Sequence, residues 1–427
     1  MLQTKRTNLV FLFIPCLILF AFAFIGFVIC SPWAMELKAS QFFEKGLNYE
    51  WLKYVTQFYS RSGNTDLIMV LAFFVMILII YHHNYYKVYK SGSWYANHKW
   101  PVWTIFIGFC IIWFSYNLYQ LVSMFYKDKG FGIGIDNELI DSYKYKIVGQ
   151  IISMLYQYPI LFWGTWYIGT KLEKKKDFFY QGYWVDALKG ILYFATVYLT
   201  VILMKIFMGR PYYFNIIFGD LYSKLSPEMQ NHYLASGQRF GDYDVLTNSW
   251  TANMDGDWPW WRVNNFLMRD ENSYNPGHFF DYSFPSGHVV SSFCTTSIMM
   301  LFINPNKNRN ITGPKATALY LLVLNAILMN FATVIMRWHF VTDTMFSIII
   351  SILYFIMAWF VIEKTVYKAI ISWKRRKNIP FELNVGDKNG KKIVYLVDYD
   401  TKRIVKILQT EKYDSFKERY KSYIQNN

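Results

Sequence analysis

The residues of this chain best suited to chemistry are two histidines in short polar motifs. His339 precedes Asp343 by four residues, and on a helix this spacing places both side chains on one face. A carboxylate beside one imidazole nitrogen fixes the tautomer and makes the other nitrogen a nucleophile or base. His288 closes a Pro-Ser-Gly-His sequence, where the free amides of a helix start could bind a phosphate-type anion. A structural His–Asp pair and an ordinary capped helix are the alternative interpretations.

Three cations lie close to these motifs in the predicted topology. Lys205 lies inside an apolar run about one turn from its end, and Arg210 follows where Pro211 stops the helix. Arg337 lies two residues before His339. An isolated lysine at such a position usually extends to the membrane surface, so Lys205 has a structural interpretation as well.

The composition indicates a membrane protein. Of 427 residues, 54% are hydrophobic and 21% aromatic, whereas 17% are charged, against about a quarter in soluble domains. This excludes an ordinary soluble protein and a disordered one. The net charge of +15 comes without a groove-reading motif, so we expect no nucleic-acid partner. The four cysteines show no metal-ligand spacing, and we expect no metal site.

Eight apolar segments could each form a membrane-spanning helix. They are Leu9–Cys30, Asp66–Tyr81, Pro101–Tyr126, Ile147–Thr170, Val185–Met208, Phe284–Ile303, Ala316–Met336 and Phe340–Ile362. We therefore predict an all-α polytopic bundle of about eight transmembrane helices.

Basic residues mark the predicted cytoplasmic side. Both ends of the chain and every second loop are rich in Lys and Arg, as cytoplasmic segments are. The longest loop, 210–283, instead has 5 basic and 9 acidic residues, which places it outside. We expect a multi-pass protein of the cell membrane with both termini cytoplasmic. Its expected parts are an N-terminal four-helix region (1–184), a core (185–362) and a basic tail (363–427).

The tail predicts a small cytoplasmic ββα-like unit. Apolar alternation indicates strands at Ile393–Val397 and Ile404–Leu408, followed by a helix near Asp414–Ile424. The basic run Lys374–Lys377 is typical of an anchor at the anionic inner leaflet.

The predicted topology brings the motifs together. The fifth segment ends outside, the sixth begins outside, and the seventh turns into the eighth outside. The cations, the phosphate-type helix start and the His–Asp pair therefore fall on one membrane face. This pattern predicts an outward-facing site for an anionic group, with histidine chemistry.

These residues resemble the type-2 phosphatidic acid phosphatase superfamily. Its pattern is K-x6-R-P, then P-S-G-H, then S-R-x5-H-x3-D. The second motif is complete at Pro285–His288, and the third ends in His339 and Asp343. The resemblance covers roughly Val185–Ile362 and leaves out the first four segments and the tail.

The resemblance implies metal-independent phosphoryl transfer without a cofactor. His339 would attack phosphorus, Asp343 would orient it, and His288 would protonate the leaving oxygen and then activate water. The phosphoryl oxygens would be held by Lys205, Arg210, Ser286 and Gly287.

Two motifs depart from the family pattern. Four residues rather than six separate Lys205 from Arg210, and Ala332-Thr333 stand where Ser-Arg is expected. Arg337 comes one helical turn later on the same predicted helix, and we infer that it replaces the missing arginine in binding phosphate. The alternative is that both arginine sites are degraded.

We therefore expect an enzyme that hydrolyses a lipid phosphate or lipid pyrophosphate at the outer leaflet, in contact with membrane lipids. A lipid phosphotransferase with the same histidines is the first alternative. A catalytically inactive transporter or scaffold on the same fold is the second. The sequence indicates neither the lipid nor the oligomeric state.

Overall fold

The computed structural model describes fifteen stretches of the chain. They are residues 2–89, 91–126, 142–174, 183–235, 241–244, 249–252, 254, 256–263, 282–304, 309–362, 365–366, 369, 381–388, 391–398 and 404–409.

Helices dominate these stretches and are numbered here in chain order. They are α1 (Leu2–Cys30), α2 (Trp33–Glu44), α3 (Glu50–Tyr89), α4 (Trp94–Asn97), α5 (Trp100–Tyr126), α6 (Lys144–Trp166), α7 (Tyr183–Met208), α8 (Tyr213–Ile216), α9 (Phe218–Ser223), α10 (Pro227–Ala235), α11 (Gly287–Thr295), α12 (Gly313–Ile335) and α13 (Val341–Met357). Short 3-10 or π segments extend several of them: Lys45–Asn48 before α3, Tyr167–Leu172 after α6, Thr296–Leu301 after α11 and Ala358–Ile362 after α13.

The predicted all-α membrane bundle is confirmed, but the count of eight spans is not. Every predicted apolar segment contains helix. Among the described residues, six helices are long and apolar enough to cross a membrane: α1, α3, α5, α7, α12 and α13. The helical stretch of α11 is shorter, at Gly287–Leu301.

Helix α3 is the central element of the bundle. It is 40 residues long, starting 16 residues before the predicted segment at Asp66. It packs against α6, α7, α11 and α12, while α1 packs against α13. Glycines permit close approaches to α3: a β-carbon at Gly149 would lie 2.9 Å from the α3 backbone, and one at Gly190 would lie 2.4 Å from Phe74. The N-terminal helices are thus packed directly on the C-terminal ones.

Between α7 and α11 the described residues form three short helices and a small sheet. Helices α8–α10 lead to a two-stranded antiparallel sheet of β1 (Asp242–Asp244) and β2 (Ser249–Ala252). The described part of the segment that follows contains Trp260, whose ring stacks on Phe284, 5.8 Å between centroids. Its indole N–H donates to Ser31 Oγ at the end of α1. Trp260 therefore contacts residues of both halves of the chain.

The tail contains a three-stranded antiparallel sheet. Its strands are β3 (Phe381–Lys388), β4 (Lys391–Asp398) and β5 (Ile404–Gln409), in the order β3-β4-β5. The predicted hairpin is thus present as β4 and β5, with Val394 opposite Leu408, and β3 is an additional strand. The predicted helix near Asp414–Ile424 and the basic run Lys374–Lys377 lie outside the described residues.

Candidate active site

The turn between α12 and α13 carries His339. Helix α12 ends at Ile335 and α13 begins at Val341, so the connection is only five residues long. His339 N donates to Thr333 O over 3.3 Å, which turns the chain back on the helix end. The imidazole is 2% exposed and therefore lies inside the protein.

Asp343 orients the His339 ring, but not through the helical spacing that the sequence suggests. His339 lies outside α13, whereas Asp343 lies in its first turn. Asp343 Oδ2 accepts from His339 Nδ1 at 3.4 Å and from Phe340 N at 3.1 Å. The carboxylate is thus a helix cap that also contacts the ring. With Nδ1 facing this acceptor, Nε2 is the ring nitrogen on the side away from Asp343.

The surroundings of His339 favour its neutral form. Burial lowers the pKa of His339 below its ordinary value, while Asp343 and the backbone of Ser283 raise it in part. The positive charge of Lys205 lowers the His339 pKa further. A neutral imidazole at pH 7 has the lone pair that a nucleophile needs.

Arg210 lies behind Asp343 rather than open to a ligand. Helix α7 ends at Met208, and Gly209 takes the left-handed conformation (φ 56°) that terminates helices. The Arg210 side chain is 0% exposed. Its Nη1 donates to Asp343 Oδ1 at 2.6 Å, and its Nε to Trp258 O at 2.8 Å. The arginine that was predicted to bind phosphate therefore holds the carboxylate of the His–Asp pair, and its phosphate contact stays a prediction.

Lys205 interacts electrostatically with both histidines of the site. It is 5% exposed, and its ammonium donates to Tyr282 O and lies 5.6 Å from the centre of the Tyr212 ring. Its charge acts on both His288 and His339. The buried ammonium is thus at the site, as the topology predicts.

The N-terminal residues of α11 lie at the same site. Ser286 is the N-cap, and its hydroxyl accepts from Val289 N. Ser286 N donates to Asp343 O over 3.3 Å, so that amide is already bonded within the protein. Beside Gly287 a β-carbon would find no atom of another segment within 4 Å. Of the two residues predicted to bind phosphate here, Gly287 has space for a close anion, whereas the backbone amide of Ser286 already has an acceptor.

His288 follows on the first turn of α11 and is partly buried. Its ring lies 4.9 Å from the ring of Trp338, and it interacts electrostatically with His339 and Lys205. A β-carbon at Gly63 of α3 would lie 3.0 Å from His288 Cδ2. Helix α3, which carries no recognised motif, thus forms one wall beside this histidine.

Arg337 does not occupy the position inferred from sequence. The inference placed it on α12, one turn beyond Thr333. Instead it lies after the helix end with a left-handed backbone (φ 66°), and its Nε donates to Glu44 Oε2 at 2.7 Å. The helical relationship is therefore wrong, because α12 ends two residues earlier. A role for Arg337 in binding phosphate remains a prediction.

Sequence reasoning missed Glu36. This carboxylate belongs to α2, has 0% exposure, and contacts Arg210 Nη2 through Oε2 at 2.5 Å. Its Oε1 accepts from Thr342 N at 3.2 Å and from the Thr342 hydroxyl. The only signal in the sequence is an acidic residue in a short segment between two apolar runs, which is too common to be informative.

Comparison with known proteins assigns the family. A sequence profile of the PAP2 superfamily matches residues 186–367. An uncharacterized protein of Mycoplasma capricolum subsp. capricolum is 31% identical over 337 residues, covering 77% of this chain and 86% of that protein. The chain belongs to the PAP2 superfamily. No solved structure matches it.

Membership confirms the resemblance seen in the sequence motifs. Members of the PAP2 superfamily are phosphatases, which together with the apolar helices supports a membrane phosphatase in general terms. Within the described part of this PAP2 protein, no group of three His, Cys, Asp or Glu side chains could hold a metal ion. Metal independence stays a prediction that a chelator tests.

Proposed function

We propose that this protein is an integral membrane phosphatase that removes phosphate from a lipid phosphate or lipid pyrophosphate through a phosphohistidine. The observation that carries the proposal is the convergence of His339, His288, Lys205 and the start of α11, with Asp343 on His339 Nδ1. These groups come from three separate helix ends, and together they supply a nucleophile, an acid–base group and charge for phosphoryl oxygens.

In the first step, His339 Nε2 attacks phosphorus and the bond from phosphorus to the leaving oxygen breaks. His288 gives its proton to that oxygen, which leaves as a lipid alcohol from a lipid phosphate or as a lipid monophosphate from a lipid pyrophosphate. Asp343 stabilises the positive charge that His339 gains as the N–P bond forms. A bound phosphate anion would itself stabilise the protonated form of His288, since opposite charges favour ionisation.

In the second step, His288 takes a proton from water, and the resulting hydroxide attacks phosphorus. The N–P bond breaks, phosphate is released, and His339 returns to its neutral form. His288 is left protonated and is ready for the next substrate. The two half-reactions therefore balance with water as the only co-substrate.

The surroundings of the site support an amphiphilic substrate. Lys205 and Gly287 lie at ends of apolar helices, where a lipid headgroup would lie. Trp260 stacks on Phe284, just before α11, and the neighbouring Trp261 is 52% exposed. Tryptophan is typical of the membrane–water boundary. A lipid that stays in the bilayer could thus present its phosphate to the site.

The test is phosphate release by the purified full chain from a panel of lipid phosphates and lipid pyrophosphates. We expect release that survives EDTA, is inhibited by vanadate and is lost in His339→Ala. His98→Ala, which changes an exposed histidine outside the site, is the matched control and should keep activity. Release that EDTA abolishes, or that persists in His339→Ala, would contradict the proposed mechanism.

The covalent intermediate can be tested separately. In His288→Ala, the first step should still proceed from substrates with good leaving groups, whereas hydrolysis of the intermediate should be slow. We therefore expect acid-labile phosphate on His339 to accumulate in that variant. Absence of labelled His339 in both wild type and His288→Ala would exclude the phosphohistidine.

A non-catalytic scaffold is the second candidate, and two observations favour it. Arg210 is bonded to carboxylates rather than open to a ligand, and Ala332-Thr333 replace Ser-Arg. If no substrate is hydrolysed, an alcohol acceptor should be added to the same assay to detect transfer. Inactivity in both assays, with equal behaviour of wild type and His339→Ala in cells, would support the scaffold.

The outward orientation is also a proposal, supported by the distribution of Lys and Arg. In a chain whose native cysteines are replaced, Trp261→Cys should react with an impermeant maleimide in intact cells. His98→Cys, in a predicted inner loop, should react only after permeabilisation. The reverse pattern would place the site on the cytoplasmic side.

A further inference from the structure

Helix α2 brings a carboxylate into the site from outside the family-matched region. Glu36 lies 150 residues before that region begins at residue 186. Its two oxygens contact both terminal nitrogens of Arg210, with Oε2–Nη2 at 2.5 Å and Oε1–Nη1 at 3.4 Å. Such a two-point contact fixes the plane of a guanidinium as well as its position.

Aromatic rings reinforce this fixed orientation. The guanidinium carbon of Arg210 lies 3.9 Å from the centre of the Phe340 ring and 5.8 Å from that of Trp33. Trp33 is on α2, three residues before Glu36, and its ring packs on Phe340 at 5.5 Å. Helix α2 thus holds Arg210 through both its charge and its shape.

The fixed position of the Arg210 guanidinium determines which oxygen of Asp343 is available to His339. Arg210 Nη1 bonds Asp343 Oδ1, which leaves Oδ2 for His339 Nδ1. Without the Glu36 charge, Arg210 would be drawn entirely to Asp343 and would compete with His339 for that carboxylate. Its positive charge would also act on the His339 imidazole without compensation.

We propose that Glu36 is a positioning residue for His339, acting through Arg210 and Asp343, so that α2 is a working part of the active site. The proposal rests on the proposed phosphatase function. Glu36 touches none of the reacting atoms, and its effect is to keep Asp343 available to the nucleophile.

The charged groups that face Glu36 are those whose electrostatics change when its charge is removed. Arg210 at the end of α7 and Asp343 on α13 both act on it, and Glu36 in turn acts on the Cys30 thiol of α1. Burial raises the pKa of Glu36, whereas the Arg210 charge lowers it. Glutamine at this position keeps the size of the side chain, removes the charge and replaces one acceptor oxygen by an NH₂ donor, which is why Glu36→Asp is compared with it.

The experiment compares Glu36→Gln, Glu36→Asp and a control in the full chain. Because a displaced nucleophile costs about 100-fold in rate, we expect kcat of Glu36→Gln to fall about that far. KM should stay near that of wild type, since Glu36 does not meet substrate. Glu36→Asp keeps the charge and should recover a large part of kcat. Glu50→Gln, which neutralises an exposed carboxylate paired with Lys144, should leave kcat unchanged.

A second measurement does not depend on turnover. The protonation midpoint of His339 is followed by NMR of ring-labelled histidine, assigned with His339→Gln. In Glu36→Gln the uncompensated Arg210 charge should move this midpoint to lower pH, while Glu50→Gln should not change it.

The outcomes separate the positioning role from the phosphatase function. An unchanged midpoint, or a Glu36→Gln activity within threefold of wild type, would overturn the positioning role. So would a loss of activity that Glu36→Asp does not reverse and that follows only from lower thermal stability. If wild type is inactive on every substrate but the midpoint shifts, the positioning role stands and the proposed function fails.

Discussion

Replacing Asp343 by asparagine tests the central contact of the site with almost no change in shape. The carboxylate accepts from His339 Nδ1 on one oxygen and from Arg210 Nη1 on the other. An asparagine must place its NH₂ group on one of these two sides. On the His339 side it forces the wrong tautomer, and on the Arg210 side it sets two donors against each other. Neither arrangement restores what Asp343 provides.

The expected loss follows from this geometry. Removing the orienting carboxylate of a catalytic histidine costs about 10⁴-fold in kcat in the Ser-His-Asp case that serves as template. Here the Nδ1–Oδ2 distance of 3.4 Å is longer than the usual 2.7–3.2 Å, and the contact is correspondingly weaker. We therefore expect a loss of about 10³-fold in kcat, or about 4 kcal/mol in the activation free energy.

The assay measures initial rates with the substrate of the panel that the wild type hydrolyses fastest. Thermal unfolding of each variant is measured in the same detergent. Ser351→Ala is the matched control, because Ser351 is buried two turns further along α13 and donates to Ser347 O. It should keep kcat within twofold of wild type. If Asp343→Asn stays folded and keeps more than a tenth of the wild-type kcat, Asp343 does not orient His339 in catalysis.

Three further outcomes are expected. Gly63→Ala should lower kcat about tenfold, because its β-carbon would lie 2.6 Å from Met329 Cε and 3.0 Å from His288 Cδ2, and such overpacking moves both side chains and also lowers stability. Gly108→Ala, which meets no atom within 4 Å, should leave activity intact. If Arg337 binds phosphate, Arg337→Gln should lower kcat at least about 100-fold, while Glu44→Gln changes it little; equal effects would assign Arg337 to holding α2. Since burial lowers the pKa of His339, the acid limb of kcat/KM attributable to this residue should fall below pH 6.5, and a limb at or above that value would show a solvated imidazole.

The sequence placed His339 beside Asp343, and the two side chains are in contact, but the local geometry of that contact was predicted wrongly. The pairing of His339 with Asp343 follows from their four-residue separation, yet the two do not share a helix. The chain leaves α12 after Ile335 and re-enters helix only at Val341, so Asp343 contacts the ring as a helix cap. The spacing of a capping residue and that of one helical turn are nearly equal, and the sequence alone does not distinguish them.

The same limit explains the wrong placement of Arg337. The inference continued the helix to Arg337, two residues beyond the end of α12 at Ile335, and no glycine or proline beside Arg337 marks that end. A non-glycine residue with φ of 66° is uncommon and is stabilised by contacts from elsewhere. One of these is the bond from Phe214 N to Arg337 O over 3.0 Å, between segments more than a hundred residues apart.

Glu36 shows why part of the site was beyond prediction from local patterns. Its partners are 174 residues away at Arg210 and 306 residues away at Thr342. Such a contact depends on how α1 and α13 pack and on where α2 then lies. Burying a carboxylate is costly unless a partner compensates it, and here Arg210 is that partner. A role for the Glu36 carboxylate can therefore be proposed only when its position beside Arg210 in the fold is known.

The ion cluster of Arg210, Asp343 and Glu36 connects the N-terminal region to the proposed chemistry, because Glu36 lies on α2. Arg210 alone would be a buried cation paired only with Asp343, and that pairing would weaken the acceptor that His339 needs. Glu36 supplies the second negative charge, so Arg210 and the two carboxylates leave a net negative charge behind the nucleophile. A net negative charge there stabilises the cation that His339 becomes when it accepts phosphorus. The three-residue ion cluster therefore favours the proposed intermediate, and helix α2 provides the member that the family-matched region lacks.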